Sequence, residues 1–375
     1  MKKLDRRQWL RTAGIGSALG LLAPSSVLAE QLPQPAKPRT GSVSDVMARL
    51  SSNENPYGPS ARVREAITNA FDEACRYPFA YQQALKDGLA EKHGVPSSHI
   101  LLTAGSTEGL KVAGMVYGGG KEVIAAEPTF LSLLNYAEST GGHIHMVPVG
   151  KDLGHDLEAM EQRITNQTGL VFVCNPNNPT GTLIAADKMR DFCSTVSEKA
   201  MVFADEAYFD YITEPNYPSM VELVKKGKNV IVARTFSKVY GLAGIRIGYL
   251  IARPDIIMRL NQLTMAGASI PAIFAAVEAL KDKEFYEFSL EHNRKGKKII
   301  YDVLEDLKLD YIPSHSNFVF FHTGREIGPF NAAMRQEGVI VGRPFPPFTD
   351  WCRISTGTVE ETEKFATALR KVMKA

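Results

Sequence analysis

Cysteine is scarce in this chain, and the scarcity excludes two classes at the outset. Cys75, Cys174, Cys193 and Cys352 are widely scattered and lack paired metal-ligand spacing. Neither a cysteine-based metal site nor a disulfide framework is expected, and the four read as buried thiols. Net charge is also small: +2 formally, of which residues 1–29 carry +4 (Lys2, Lys3, Arg6, Arg7 and Arg11 against Asp5), leaving −2 on the remainder. No basic stripe survives there to engage nucleic acid. Beyond about Leu22 no apolar run approaches the roughly 20 residues of a membrane span, so no stable membrane anchor is expected. Internal repeats and low-complexity tracts are absent as well. What is present is ample: 375 residues with 44% hydrophobic side chains suffice for two domains with a well-buried core.

Short apolar runs alternate with helical periodicity. Candidate strands are His99–Thr103, Val123–Ala126, Ile144–Val149, Leu170–Cys174, Met201–Ala204, Asn229–Ala233 and Ile247–Ala252. Such alternation predicts an α/β fold with a mainly parallel sheet covered by helices. After it come a long helix over Glu284–Leu309, strands at Asn317–His322 and Trp351–Ser355, and helices near Phe330–Glu337 and Val359–Met373. These make a smaller α+β part. The expected division is 1–29 as a leader, 30–74 as an arm and part of the small domain, 75–275 as the large domain, and 276–375 as the small one.

The leader reads as an address. Asp5-Arg6-Arg7-Gln8-Trp9-Leu10 resembles the twin-arginine export signature, an apolar stretch runs on to about Leu22, and Val27-Leu28-Ala29 offers a cleavage site before Glu30. Passage through the twin-arginine machinery to the periplasm is expected.

Five motifs carry the chemistry. Arg234–Tyr249 (RTFSKVYGLAGIRIGY) sets Lys238 among hydroxyls and glycines, with Arg246 eight residues on. Burial beside another cation lowers a lysine's pKa and makes its amine a nucleophile. Gly105-Ser106-Thr107-Glu108-Gly109 follows a strand and opens a helix, whose unpaired N–H groups and dipole favour a phosphate. An ordinary capped helix remains open at that point. Asn175–Gly181 (NPNNPTG), Asp205–Tyr208 (DEAY) and Ser52–Pro59 (SNENPYGP) complete the set.

In this order and spacing the motifs resemble the fold type I pyridoxal-phosphate aminotransferases, most closely their histidinol-phosphate aminotransferase branch, from about Val43 to the C-terminus. The resemblance implies an aspartate-aminotransferase-like large domain. It implies that Lys238 holds pyridoxal 5'-phosphate covalently and that Ser106, Thr107, Thr235, Ser237 and Arg246 surround its phosphate. Asp205 would pair with the ring nitrogen and so keep the ring an electron sink. Tyr208 and Asn178 would bond the phenolic oxygen, and Phe130 would stack on the ring. Tyr57 would reach the phosphate of a neighbouring subunit, making the protein a homodimer. Arg353, in Trp351–Ser355 (WCRIS), would hold the substrate's acidic group. Arg343 lies near a second family arginine, but Gly342 and the run Pro344–Phe348 depart from the family pattern there, and a surface role for Arg343 stays open.

The implied activity is ping-pong transfer of an amino group from a small-molecule donor to an oxo-acid acceptor. A decarboxylase of the threonine-phosphate type shares most of these motifs, and a non-catalytic cofactor-binding protein is the third reading. For the substrate, Phe345, Pro346, Pro347, Phe348 and Trp351 are expected to line or cover the side-chain pocket and to favour an aromatic amino acid.

Overall fold

The structure, a computed structural model, describes residues 47–265 and 267–374. Its strands, in chain order, are β1 (Ala48–Arg49), β2 (Ile100–Thr103), β3 (Glu122–Glu127), β4 (His143–Pro148), β5 (Thr168–Cys174), β6 (Met201–Asp205), β7 (Val230–Thr235), β8 (Gly248–Ile251), β9 (Tyr311–Ile312), β10 (Phe318–His322), β11 (Val339–Ile340) and β12 (Trp351–Ser355). Seven of them form one sheet in the order β2-β8-β7-β6-β5-β3-β4. The pairs from β4 through β7 are parallel, while β8 runs antiparallel to both β7 and β2.

The central strands are apolar at nearly every position because both faces of the sheet are covered. Alternate side chains divide between two cores: Val171, Val173, Val202, Ala204, Val230 and Val232 enter one, and Leu170, Phe172, Phe203, Ile231 and Ala233 the other. A strand so placed has no polar face to show, which is why these segments read as continuous apolar runs. The reversal of β8 leaves no such trace in the sequence.

A second sheet, β12-β10-β9, is antiparallel. It packs with helices Lys283–Asp306, Ile327–Gln336 and Val359–Lys374 around a separate core that includes Phe321, Phe330, Ile354 and Phe365. The segment leading into the SNENPYGP motif joins it: β1 pairs with β11, and Ser355 N–H donates to Leu50 O at 2.9 Å. Helix Ala61–Asn69 tightens at its end into a 3₁₀ turn over Ala70–Glu73. Helix Phe79–His93, which no periodicity announced, ends on Gly94 at φ +61°, a left-handed stop that glycine adopts without strain. Cys174, Cys193 and Cys352 are buried and unpaired, as expected, whereas Cys75 is exposed. Among the described residues no helix is long and apolar enough to cross a membrane.

This topology fixes the position of the site. The parallel strands β3, β5, β6 and β7 all end at one edge, and β2, separated from β7 only by the antiparallel β8, ends there too. Every motif except SNENPYGP and WCRIS follows a strand at that edge, where open α/β sheets bind their ligands.

Candidate active site

The loop after β7 carries Lys238 to the base of a cavity of about 810 Å³. Its Nζ donates to the Asn53 carbonyl oxygen at 2.9 Å and stands 5.3 Å from the centre of the Tyr208 ring. Burial, reinforced by the positive charge of Arg353, lowers the amine's pKa to about 8. This is the condition the sequence reading required of a nucleophilic lysine.

Asp205 ends β6 in the cavity wall, 3% exposed, with Oδ1 accepting from Ala207 N–H at 3.1 Å. Burial raises its carboxyl pKa to about 6. Directly behind it, Glu206 and Arg234 form a buried ion pair with Nη2–Oε2 at 2.6 Å and Nε–Oε2 at 2.8 Å. The other Glu206 oxygen accepts from Met220 N–H at 2.7 Å. The pair ties the ends of β6 and β7 together, where Asp205 pairs in register with Ala233.

At one end of the cavity lie Ser106, Thr107, Thr235, Ser237 and Arg246. Helix Ser106–Ala113 begins without a side-chain cap, leaving its first N–H groups for an anion. Arg246 is held at φ +61°, a conformation unusual outside glycine, and donates to the carbonyls of Ala243 at 2.7 Å and Ala104 at 3.4 Å. Gly105, at φ +80°, lets that guanidinium approach: a Cβ there would collide with it. Hydroxyls, a helix N-terminus and a guanidinium therefore fit the phosphate end of the expected cofactor. Buried Asp205 fits a cationic ring nitrogen, which would restore its ionised form.

Phe130, Asn178 and Tyr208 complete the wall. Asn178 Nδ2 lies 3.4 Å from Tyr208 Oη, so the two donors expected at the phenolic oxygen converge. Asn178 Oδ1 accepts from Arg353 Nη1 at 2.7 Å, and Arg353 Nη2 donates to Ser51 O at 2.6 Å. Arg353 is 8% exposed, its Nε has no hydrogen-bond partner, and burial lowers its pKa to about 10. Arg343 lines the same cavity, exposed, with Nη1 on Pro344 O at 2.8 Å.

Tyr57 is the one expected site residue that lies outside its own chain's cavity. Its hydroxyl accepts from Val359 N–H at 3.0 Å, and its ring meets Phe288 and His292 edge-on. The aromatic lining also needs correction. Only Phe345 of the Phe345–Phe348 run reaches the cavity; Phe348 and Trp351 pack on Phe320, and Pro346 and Pro347 are exposed. Phe320 projects from β10 with apolar surface to cover, and these rings supply the cover.

Asn53 is the residue that sequence reasoning passed over. It is 1% exposed at φ +54°. Its Nδ2 donates to Tyr208 Oη at 2.9 Å, its Oδ1 accepts from Ser355 Oγ at 2.8 Å, and its carbonyl accepts from Lys238 and, at 3.1 Å, from Asn317 Nδ2. The signal was an asparagine among turn residues, the type after glycine that best tolerates a left-handed backbone. Asn53→Gly keeps that backbone and loses the side-chain bonds, whereas Asn53→Ala loses the bonds and adds about 1–2 kcal/mol of strain. Urea denaturation is therefore expected to rank wild type above Gly and Gly above Ala; equal stability of the two variants would remove the conformational argument.

With this geometry in hand, the comparison with known proteins is decisive. The family described as aminotransferase class I and II matches residues 45–369. The chain belongs to that family. Among aminotransferases similar to it, the histidinol-phosphate aminotransferase of Moorella thermoacetica is 40% identical over 336 residues, covering 88% of this chain and 86% of the relative. That of Halalkalibacterium halodurans is 36% identical over 333 residues, covering 88% and 90%. A solved histidinol-phosphate aminotransferase from Sinorhizobium meliloti, in complex with pyridoxal-5'-phosphate, superposes with a TM-score of 0.80 at 28% identity, covering 88% of this chain and 91% of that one.

Proposed function

We propose that the chain is a pyridoxal-phosphate-dependent aminotransferase that moves an amino group between an amino donor and a 2-oxo acid in two half-reactions of a ping-pong sequence. One observation carries this: Lys238, Asp205, the Ser106–Ala113 helix start and Arg353 meet in one cavity at the sheet edge. When bound, pyridoxal phosphate supplies a carbonyl that condenses with amines and a ring that accepts the electron pair left at the substrate's α-carbon.

The chain's own residues do the rest. Arg246, Thr235, Ser237, Ser106 and Thr107 hold the phosphate, and Asp205 keeps a proton on the ring nitrogen by its charge. Arg353 takes the substrate's acidic group and orients the α-carbon over the ring. Lys238 Nζ, whose pKa burial lowers to about 8, would take the proton from that carbon and deliver it to the cofactor's former carbonyl carbon. When free, the amine rests on the Asn53 carbonyl.

The test is to follow the visible band of the loaded enzyme while amino donors are added. Loss of the band with stoichiometric oxo acid and no carbon dioxide is expected. Carbon dioxide release would support the threonine-phosphate decarboxylase reading instead, and a band that survives every donor would leave a cofactor-binding protein without turnover.

Two further statements belong to the same proposal. The twin-arginine leader at 1–29 lies outside the described residues; export to the periplasm rests on its sequence and is tested by cell fractionation. Dimerisation rests on the resemblance and is supported by exposed apolar side chains. Tyr77 and Phe79 stack on each other at 82% and 74% exposure. Met265, 79% exposed, bonds through its N–H to Glu108 in the helix that opens at the cavity. Light-scattering mass tests it. Tyr57 is proposed to serve the partner's site, to which its own chain's cavity offers no rival.

A further inference from the structure

Tyr208 has one hydroxyl proton, and the groups around its oxygen leave that proton a single direction. Tyr208 Oη receives Asn53 Nδ2 at 2.9 Å and Asn178 Nδ2 at 3.4 Å. Each of these amides is held in one orientation from β12. Arg353, a donor at every nitrogen, gives Nη1 to Asn178 Oδ1 at 2.7 Å, so the end of that amide facing Tyr208 is its NH₂ group. Ser355 fixes Asn53 in two steps. Asn53 N–H donates to Ser355 Oγ at 2.8 Å, which leaves the serine proton for Asn53 Oδ1, also at 2.8 Å, and turns Nδ2 toward Tyr208. Arg353 and Ser355 stand two apart in β12 and so share one face of the strand.

All five residues are buried, and Phe318 meets the Tyr208 ring edge-on at 5.2 Å and holds it in place. A hydroxyl oxygen that already accepts two hydrogen bonds keeps its own O–H for a third direction. For Tyr208 that direction is the cavity, of which it forms part of the wall. Asn53 has a second contact with the same machinery, because its carbonyl receives the free Lys238 amine.

We propose that Asn53 and Ser355 are positioning residues for the reaction, which together aim the Tyr208 proton at the cofactor's phenolic oxygen and make Tyr208 a standing donor there. This rests on the reading that the cavity holds pyridoxal phosphate with that oxygen at Tyr208. The consequence is electrostatic. A donor to the phenolic oxygen favours its ionised form and draws off its charge, so the proton that this oxygen shares with the nitrogen contributed by Lys238 is lost at lower pH.

The test is spectroscopic, in Asn53→Gly, Ser355→Ala and Ser355→Thr. In the loaded protein the visible band is expected to titrate about one to two pH units higher in Asn53→Gly and Ser355→Ala than in wild type, the worth of one hydrogen bond to a charged group. Ser355→Thr keeps the hydroxyl, suits a strand, and is expected to titrate as wild type does. The charged and titratable groups facing Tyr208 are Arg353, Asp205, Lys238 and Cys174, and none of them is altered in these variants. Should Ser355→Ala fail to fold, Ser355→Cys replaces it, with a weaker donor and a shift in the same direction. An unchanged titration in Asn53→Gly or in the serine variant overturns the proposal. So does a shift in Ser355→Thr as large as that in Ser355→Ala, which would make the serine a packing residue. A cofactor-free arm separates this inference from the reading beneath it. In stripped protein labelled with 3-fluorotyrosine, the Tyr208 fluorine signal, assigned by its loss in Tyr208→Phe, is expected to move in Asn53→Gly and Ser355→Ala and to stay in Ser355→Thr. If wild type forms no visible band with pyridoxal phosphate, the cofactor reading fails, yet a signal that moves in this pattern still upholds the setting of the hydroxyl, and a signal indifferent to Ser355→Ala rejects it.

Discussion

Lys238→Ala is expected to remove the covalently held cofactor, its visible band and transamination together, with kcat falling at least about 10⁴-fold, the upper range for a positioned acid–base group. Fold loss is not the cause to expect. The lysine amine donates to a carbonyl that Asn317 also serves, so its deletion leaves that acceptor paired. Near-wild-type turnover in the variant would sink the assignment. The same amine makes a pH prediction in cofactor-stripped wild type. Burial lowers its pKa from 10.5 to about 8, so the nucleophilic form accumulates at a pH about 2.5 lower than in an exposed lysine. The rate of pyridoxal phosphate capture should rise about tenfold per pH unit below 8 and level off above it. Levelling only near pH 10 would show an ordinary lysine.

Much of this was legible in the sequence because each central strand is buried on both faces, and an apolar run four to six residues long leaves few other readings. The strands β3 and β5 to β7 fall within one or two residues of their expected limits for that reason. The site was legible where chemistry demands a rare residue type in a fixed local frame, as with Lys238, Asp205 and Arg246. It was not legible where function arises from long-range placement. Asn53 and Ser355 meet across 302 residues of chain. The fate of Phe348 and Trp351 turned on Phe320, a residue of another strand; a run of aromatics tells its apolarity but not which cavity it fills.

Asp205→Asn should separate catalysis from stability with opposite signs. Asparagine is nearly isosteric and its Oδ1 can still accept from Ala207 N–H, so the wall of the cavity is kept. The charge is lost, and with it the means of holding a proton on the ring nitrogen; kcat is expected to fall about 10²–10³-fold, the cost of removing one electrostatic contact aimed at developing charge. Stability of the cofactor-stripped protein moves the other way. Burial raises the Asp205 pKa from 3.8 to about 6, so between these values the folded state binds more protons than the unfolded one. Wild-type stability on this account falls as pH rises from about 4 to 6, and above that the full penalty is present, on the order of 2–3 kcal/mol. Asparagine carries no such penalty. Cofactor-stripped Asp205→Asn should therefore unfold at higher urea than stripped wild type at pH 7 and at the same urea near pH 4, while being far slower once loaded. Equal stability at pH 7 would mean that the carboxylate is already paired without the cofactor, and its role as the partner of a cationic ring nitrogen would lose its physical basis.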